Sequence, residues 1–429
     1  MGISASGLLV FTMAAWFMGR KRGGVNWRVV GWGIGLQAIL GVLVFRTGLG
    51  RDALMAVNDA ANAIIAAAAA GPLFVFGSLT SPAESARNGV GFLLFFQGLL
   101  SIIVISAMLQ LLYQVGIMGW VVKQLARAFS RLMRISGVDA LAASANIIVG
   151  NETIVTVRPF LGSMTRSELC VLMTACMATV SANMMGAYVA MLGSVFPGIA
   201  GHIASASLLS APAALMASKL VWPETEQPET LGVSVEPHIE RSPNMVAAVM
   251  SGAEAGAKLL VGVAVLLIAV VGLLGIVDML FAVSAPGVNR LLGSDLSWSV
   301  SGILGILFRP AAWLMGASWA ESAHVGELLG IRVVTTEIGA YTRLAELMAA
   351  GALSPRTAAI AAYSLCGFAH IPAVAITAGG IAALAPSRRE ELSVIAPRAF
   401  VAATLACLMT GCVAGIFARD SHELLLGAL

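Results

Sequence analysis

With 429 residues, 59% of them hydrophobic and only 11% charged, this chain has too little polar surface to face water; soluble domains carry about 25% charged residues. A mean hydropathy of +0.91 excludes a soluble globular fold and implies an all-α polytopic membrane protein. The net charge of +3 is too small to imply nucleic acid, and the five cysteines, which lack metal-ligand spacing, read as packing residues.

A spanning helix takes about 20 mostly apolar residues. Charge-free stretches occur at 1–19, 29–45, 88–122, 169–218 (long enough for two), 259–277, 357–387 and 399–418, which predicts about eight spans. The basic cluster Arg20-Lys21-Arg22 follows the first stretch rather than preceding it, so a spanning helix is expected there and not a cleaved leader. That cluster and Arg28 put the first loop in the cytoplasm. Further on, "VVKQLARAFSRLMR" spaces Lys123, Arg127, Arg131 and Arg134 three or four apart among apolar residues, the pattern of an amphipathic interfacial helix. Pro197 and Gly198 in "SVFPG" predict a break at 194–198. The Pro- and Glu-rich stretch 220–245 reads as a flexible connector. Arg388 and Arg389 fall inside only if 137–165 and 300–345 each enter and leave on one side, so two re-entrant hairpins are predicted.

The first hairpin region reads "GVDALAASANIIVGNETIVTVRPFLGSMT" and the second "GASWAESAHVGELLGIRVVTTEIGAYTRLA". Each is followed by a Ser/Thr helix start, "MTRSEL" and "LSPRTA". Fourteen residues beyond Thr165 lies Thr179 in "ATVSAN", and fourteen beyond Ser354 lies Phe368 in "CGFAHIPA". Polar or Gly/Pro interruptions survive at membrane depth only where they line a protein-enclosed cavity. The module therefore occurs twice in opposite orientation, the inverted-repeat design of secondary transporters.

An ionised carboxylate at the bilayer centre costs about 2.5–3.5 kcal/mol on insertion scales, so Glu152 and Glu337 require compensation. They either accept hydrogen bonds from a hydroxyl-rich substrate or are structural, Glu152 bridged to Arg158 or Arg166 and Glu337 near the interface. His370 sits at a helix break, although a lone histidine on an apolar helix is usually a bonded core residue. Asn146 can offer an oxygen to a hard cation beside the Thr179 hydroxyl, or bond a neighbouring helix. The chain contains no His-Glu-x-x-His signature of an intramembrane hydrolase, and no enzymatic activity is expected.

These blocks resemble the concentrative nucleoside transporters. "SANIIVGNE", "VRPFLGSMTRSEL" and "CMATVSANMMGAYVAMLG" look like that family's first hairpin and following helix. "WLMGASWAESAHVGELLGIRVVTTEIGAY" and "LSPRTAAIAAYSLCGFAHIPAVAITAGGIAALAPSRR" look like the second. The resemblance implies a homotrimer in a bacterial inner membrane, each protomer a scaffold holding a mobile transport domain. It implies inward, elevator-like symport of nucleosides, coupled to sodium in most members and to protons in some. Carried over residue by residue, the sodium shell is Asn146, Val149, Thr179 and Val180. The implied substrate contacts are Gly150, Asn151 and Glu152 at the first tip and Met184 in the first broken helix. From the second repeat they are Glu337, Phe368, His370 and Ala373.

On this reading residues 1–122 are mostly scaffold and 123–136 the interfacial helix. Residues 137–218 form the first transport repeat, 219–258 the cytoplasmic connector, 259–299 a scaffold helix with an external interfacial segment, and 300–429 the second repeat. Three departures stand out. The family's Gly-Gln-Thr-Glu tip is shortened to Gly150-Asn151-Glu152, its Asn-Glu-Phe becomes Thr336-Glu337-Ile338, and an Asn and a Ser expected at ribose become His370 and Ala373. They keep open a proton-coupled importer of another polar metabolite, with His370 as a candidate carrier, or a non-transporting nucleoside sensor.

Overall fold

In lipid every backbone N–H and C=O must be satisfied within the segment, which leaves helices as the spanning elements of such a chain. A computed structural model describes residues 1–19, 24–89, 91–238, 242–292 and 298–426, and the basic cluster at 20–22 lies outside them. Among the described residues the structure is helical, with one isolated bridge between Ser136 and Leu231.

The first helices are α1 (Gly2–Gly19), α2 (Trp27–Arg46) and α3 (Gly48–Ala68). A π-helical turn, Leu94–Leu99, leads into α4 (Ser101–Val115). The interfacial helix α5 (Ile117–Met133) buries Val122, Ala126, Phe129 and Met133 along one stripe. Its last turn receives the Arg28 guanidinium, whose Nε donates to the Leu132 carbonyl at 2.9 Å, a cation placed at a helix C-terminus.

The first hairpin descends as α6 (Gly137–Val149), capped by Ser136, and returns in two short pieces, Thr153–Thr156 and Arg158–Phe160. A broken helix follows as α7 (Arg166–Ala178) and α8 (Met185–Leu192). Thr165 starts α7 with a reciprocal capping box, its Oγ1 accepting from Glu168 N at 3.1 Å while Glu168 Oε2 accepts from Thr165 N at 2.8 Å. The predicted break at 194–198 separates α8 from α9 (Ile199–Val221), and the long α10 (Met245–Leu292) comes next.

A further helix, α11 (Val300–Met315), packs along α12 (Ser322–Val334), the first limb of the second hairpin, whose return limb is α13 (Glu337–Ala349). The second broken helix is α14 (Pro355–Leu365), capped by Ser354, and α15 (Ile371–Leu384), and the chain then enters α16 (Arg389–Phe417). The two modules thus share a hairpin, a Ser/Thr cap and a helix broken some fourteen residues later. The core lies where α16 packs against α1, α7, α9 and α14.

Eight helices among the described residues are long and apolar enough to cross a membrane. The number matches the sequence reading, but the membership differs. The stretch expected as one span at 357–387 is the pair α14 and α15, each too short to cross alone. Gly48–Thr80 qualifies instead. Its charges, Arg51, Asp52 and Asp59, lie in the first half, and the charge-free run 60–83 that follows them is missing from the sequence reading.

The connector is also less free than its composition suggests. Gly137 N donates to the Thr230 carbonyl at 2.9 Å, His238 N to the Thr156 carbonyl at 3.0 Å, and Lys123 pairs with Glu236. At the base of the first hairpin, Lys219 bridges Asp139 at 2.8 Å and Glu224 at 3.1 Å, tying α6 to the end of α9.

Candidate functional site

Backbone conformation brings the hairpin tips to the helix breaks. Gly150 has φ +62°, and a Cβ there would stand 2.6 Å from the Ser181 side chain, so only glycine lets the first tip touch the break after α7. Gly367, in the second break, instead lets the second broken helix approach the first, since a Cβ there would meet Ala178 O at 2.9 Å and Cys407 Sγ at 2.6 Å. The two broken helices therefore cross at Ala178 and Gly367, and both tips point at the crossing.

A cavity of about 160 Å³ opens there. Asn151 and Glu152 reach it from the first tip, Met184 from the first break, Glu337 from the second tip, and Phe368, His370 and Ala373 from the second break. Val149 also borders it, and α10 closes the opposite wall with Leu259, Val263 and Leu266. Of the eight residues proposed from sequence as substrate contacts, Gly150 alone is absent from the lining, because it is spent on the contact with Ser181. Sequence reasoning missed Ser181 and Thr336, which line the cavity, and Tyr188, which lies behind Glu337.

Glu337 is 1% exposed and is the first residue of α13, where the helix N-terminus favours a negative charge. The Tyr188 hydroxyl donates to its Oε1 at 3.0 Å. A tyrosine in the apolar run "MMGAYVAMLG" was the available signal, since a buried phenol needs a partner. Oε2 lies 3.4 Å from His370 Nε2 but makes no hydrogen bond, so one buried carboxylate oxygen has no donor. The Thr336 hydroxyl is also buried without a partner.

His370 has two roles. It is the N-cap of α15, its Nδ1 accepting from Ala373 N at 3.1 Å. A ring nitrogen that accepts a bond carries no proton, so Nε2 holds the hydrogen and faces Glu337 as a donor. The Phe368 ring stands edge-on to the imidazole, centroids 6.2 Å apart.

Glu152 is in a different setting. Its side chain is exposed, Asn183 Nδ2 donates to Oε1 at 3.4 Å, and it borders a second cavity of about 320 Å³ that includes Tyr113 and His238. The enclosed chamber expected around both acids is closed on Glu337 and open at Glu152. The alternative pairing of Glu152 with Arg166 does not occur, because Arg166 pairs with Glu391 at 3.5 Å. Asn151 is anchored across the repeats, its Oδ1 accepting from Thr377 at 3.4 Å.

The residues proposed for an ion lie just behind this cavity. Asn146 and Thr179 are fully buried, the Asn146 amide nitrogen donates to the Ala175 carbonyl and the Thr179 hydroxyl, and Asn146 Oδ1 has no partner. Val149 and Val180 flank them in the chain, and the Val180 carbonyl accepts from Ser207 at 3.5 Å.

Models of the Na+ dependent nucleoside transporter C-terminus and N-terminus match residues 202–415 and 6–79, and a nucleoside-recognition Gate model matches 95–195. An uncharacterised transporter of Haemophilus influenzae is 32% identical over 420 residues, covering 96% of this chain and 97% of its own length. The chain belongs to the concentrative nucleoside transporter family. The solved structure of the transporter CNTnw, in an inward-facing substrate-bound state, superposes with a TM-score of 0.87 at 32% identity over 97% of both chains. Rat sodium/nucleoside cotransporter 1 is 33% identical, and the match covers 96% of this chain and 63% of that protein. Mouse solute carrier family 28 member 3 is likewise 33% identical over 96% of this chain, and the chain spans 58% of its length. As a family member the chain is a multi-pass integral protein of the plasma membrane, with the scaffold-and-transport-domain fold rather than that of an enzyme.

Proposed function

We propose that the protein imports nucleosides by sodium symport, each protomer of a homotrimer moving its hairpins and broken helices as one body past a scaffold that includes α10. The observation that carries this reading is the unpartnered Glu337 Oε2 inside the tip cavity. A buried acceptor without a donor is costly, and a substrate hydroxyl offsets that cost by donating to Oε2 while its oxygen accepts from His370 Nε2–H. Tyr188 fixes the carboxylate and the helix cap fixes the imidazole, so the pair is pre-organised for one hydroxyl. Phe368 and Met184 offer apolar contact to a base, and Asn151 offers an amide.

Ser and Asn are replaced by Ala373 and His370, so fewer side chains are available to ribose than the family pattern supplies. A site built on buried hydrogen bonds discriminates against ligands that leave them unmade, and losing one relaxes that demand.

The donor set at Asn146 suits a sodium ion as co-substrate. Turning the amide over would aim Oδ1 at the Thr179 hydroxyl and the Ala175 carbonyl, giving the oxygen-only surroundings a hard cation takes. On this reading His370 serves as helix cap, through the bond from Ala373 N to Nδ1, and as a substrate donor rather than as the coupling group. Counterflow of uridine and adenosine in proteoliposomes, with and without a sodium gradient, tests the proposal. Sodium-dependent exchange of either supports it, and absence of exchange under every gradient defeats it in favour of the sensor reading.

A further inference from the structure

Arg332 is the largest fully buried side chain among the described residues, at 0% exposure, and among those residues no carboxylate pairs with it. Its Nη1 donates to the Ser364 carbonyl, Nε and Nη2 meet no oxygen or nitrogen acceptor, and the Cys407 thiol is the side chain beside the guanidinium. Ser364 belongs to the last turn of α14, where the unsatisfied carbonyls carry partial negative charge.

The inverted repeat gives this position its meaning. α6 and α12 are both 13 residues long; Asn146 is the tenth residue of α6 and Arg332 the eleventh of α12. The Asn146 amide meets Ala175 in the last turn of α7, and Arg332 meets Ser364 in the last turn of α14. One half presents a neutral amide with a spare oxygen at the end of its broken helix. The other places a guanidinium at the corresponding end.

The charge census agrees. Across 140–157, 169–193, 328–342 and 357–387, the stretches of the tips and breaks that lie between Arg158, Glu168, Glu327, Arg343 and Arg388, the acidic and basic residues are Glu152, Glu337 and Arg332. Counted formally, with both carboxylates ionised, these groups sum to one negative charge, and a single monovalent cation cancels it. A neutral core crosses low-dielectric surroundings more readily than a charged one.

We infer that Arg332 is a tethered cation occupying the second repeat's counterpart of the ion site, so that each neutral substrate travels with one sodium ion. The inference rests on the proposed symport. Reversal potentials of wild-type protein in proteoliposomes, with uridine and sodium gradients set independently, are expected to give one charge per uridine. Two charges per uridine would overturn the inference and leave the symport intact, whereas no coupled uridine movement would defeat the symport itself.

Substitution provides a second arm. Arg332→Met is expected to slow uptake at least tenfold with KM for uridine changed less than threefold, and to raise the sodium Hill coefficient from one toward two. Arg332→Lys is expected to restore most of the rate. Met and Lys variants with identical kinetics, or a Met variant that keeps wild-type rate and Hill coefficient, would overturn the inference. A Met variant that does not survive size-exclusion chromatography leaves the decision to the wild-type charge ratio.

Discussion

The two hairpin tips carry the same acid in contrasting surroundings. Glu337 starts a continuous 13-residue helix, is 1% exposed, and has one oxygen fixed by Tyr188. Glu152 sits on a 3₁₀ turn before a limb broken into short pieces, is exposed, and borders the cavity that reaches His238 of the connector. One tip holds its acid buried and bonded in the cavity wall, and the other stands where the cavity opens. A repeated module need not repeat its role, because the same carboxylate is worth more where water is excluded.

The largest expected effect therefore lies at the sealed tip. Glu337→Gln should abolish concentrative nucleoside uptake, at least a hundredfold below wild type, while the protein remains in the membrane by surface labelling. Wild-type-like uptake would remove the site assignment. Next comes His370. Alanine removes both the helix cap and the donor and should weaken uridine binding about tenfold or more, in line with ~1.5–3 kcal/mol for a hydrogen bond to a charged group. Asparagine, which can accept from Ala373 N and donate to Glu337, should recover most of that loss in equilibrium binding. Glu152→Gln is expected to cost less than Glu337→Gln, about tenfold in uptake, because its carboxylate is held by one long bond, from Asn183 at 3.4 Å, and is not fixed for a ligand as Glu337 is by Tyr188. An equal or larger loss at Glu152 would reverse the ranking of the tips.

What the sequence revealed follows from where its signals are local. Helix caps at Thr165 and Ser354, the stripe of α5 and the breaks after α7 and α14 are written in neighbouring residues, and each is present as expected. The two acids and His370 were legible because charge or imidazole in an apolar run is conspicuous. Tyr188, Thr336 and Arg332 were not singled out, since their meaning depends on partners far away in the chain. Gly150 was assigned to substrate because it adjoins Glu152, and only the fold shows its contact with Ser181. The span Gly48–Thr80 was legible as well, since 60–83 is free of charge, and its absence from the reading is an omission rather than a limit of the sequence.

The smallest effect concerns the bases of the hairpins, which differ in the same sense as the tips. At the first base, Lys219 sits among carboxylates, and Glu168 and Glu224 both accept from Thr165. At the second, Glu321 is partly exposed and takes Ser354 N at 2.6 Å, Ser318 Oγ at 2.7 Å and Thr357 Oγ1 at 2.9 Å, which ties the hairpin to the start of α14. Partial burial works against its ionised form, but those three donors outweigh it and hold the carboxyl below its usual range. A depressed carboxyl contributes stability that is complete above its unfolded value, about 4.3, and is lost as pH falls through the folded value. Glu321→Gln should therefore lower the melting temperature of the detergent-solubilised protein at pH 7 by roughly 1–3 °C, the shift expected of ~1 kcal/mol in a chain of this size. Solvent screening keeps it that small. Once pH has fallen below the folded value the wild type and the variant should converge, and a difference that persists unchanged there would mean that Glu321 acts by packing rather than by charge.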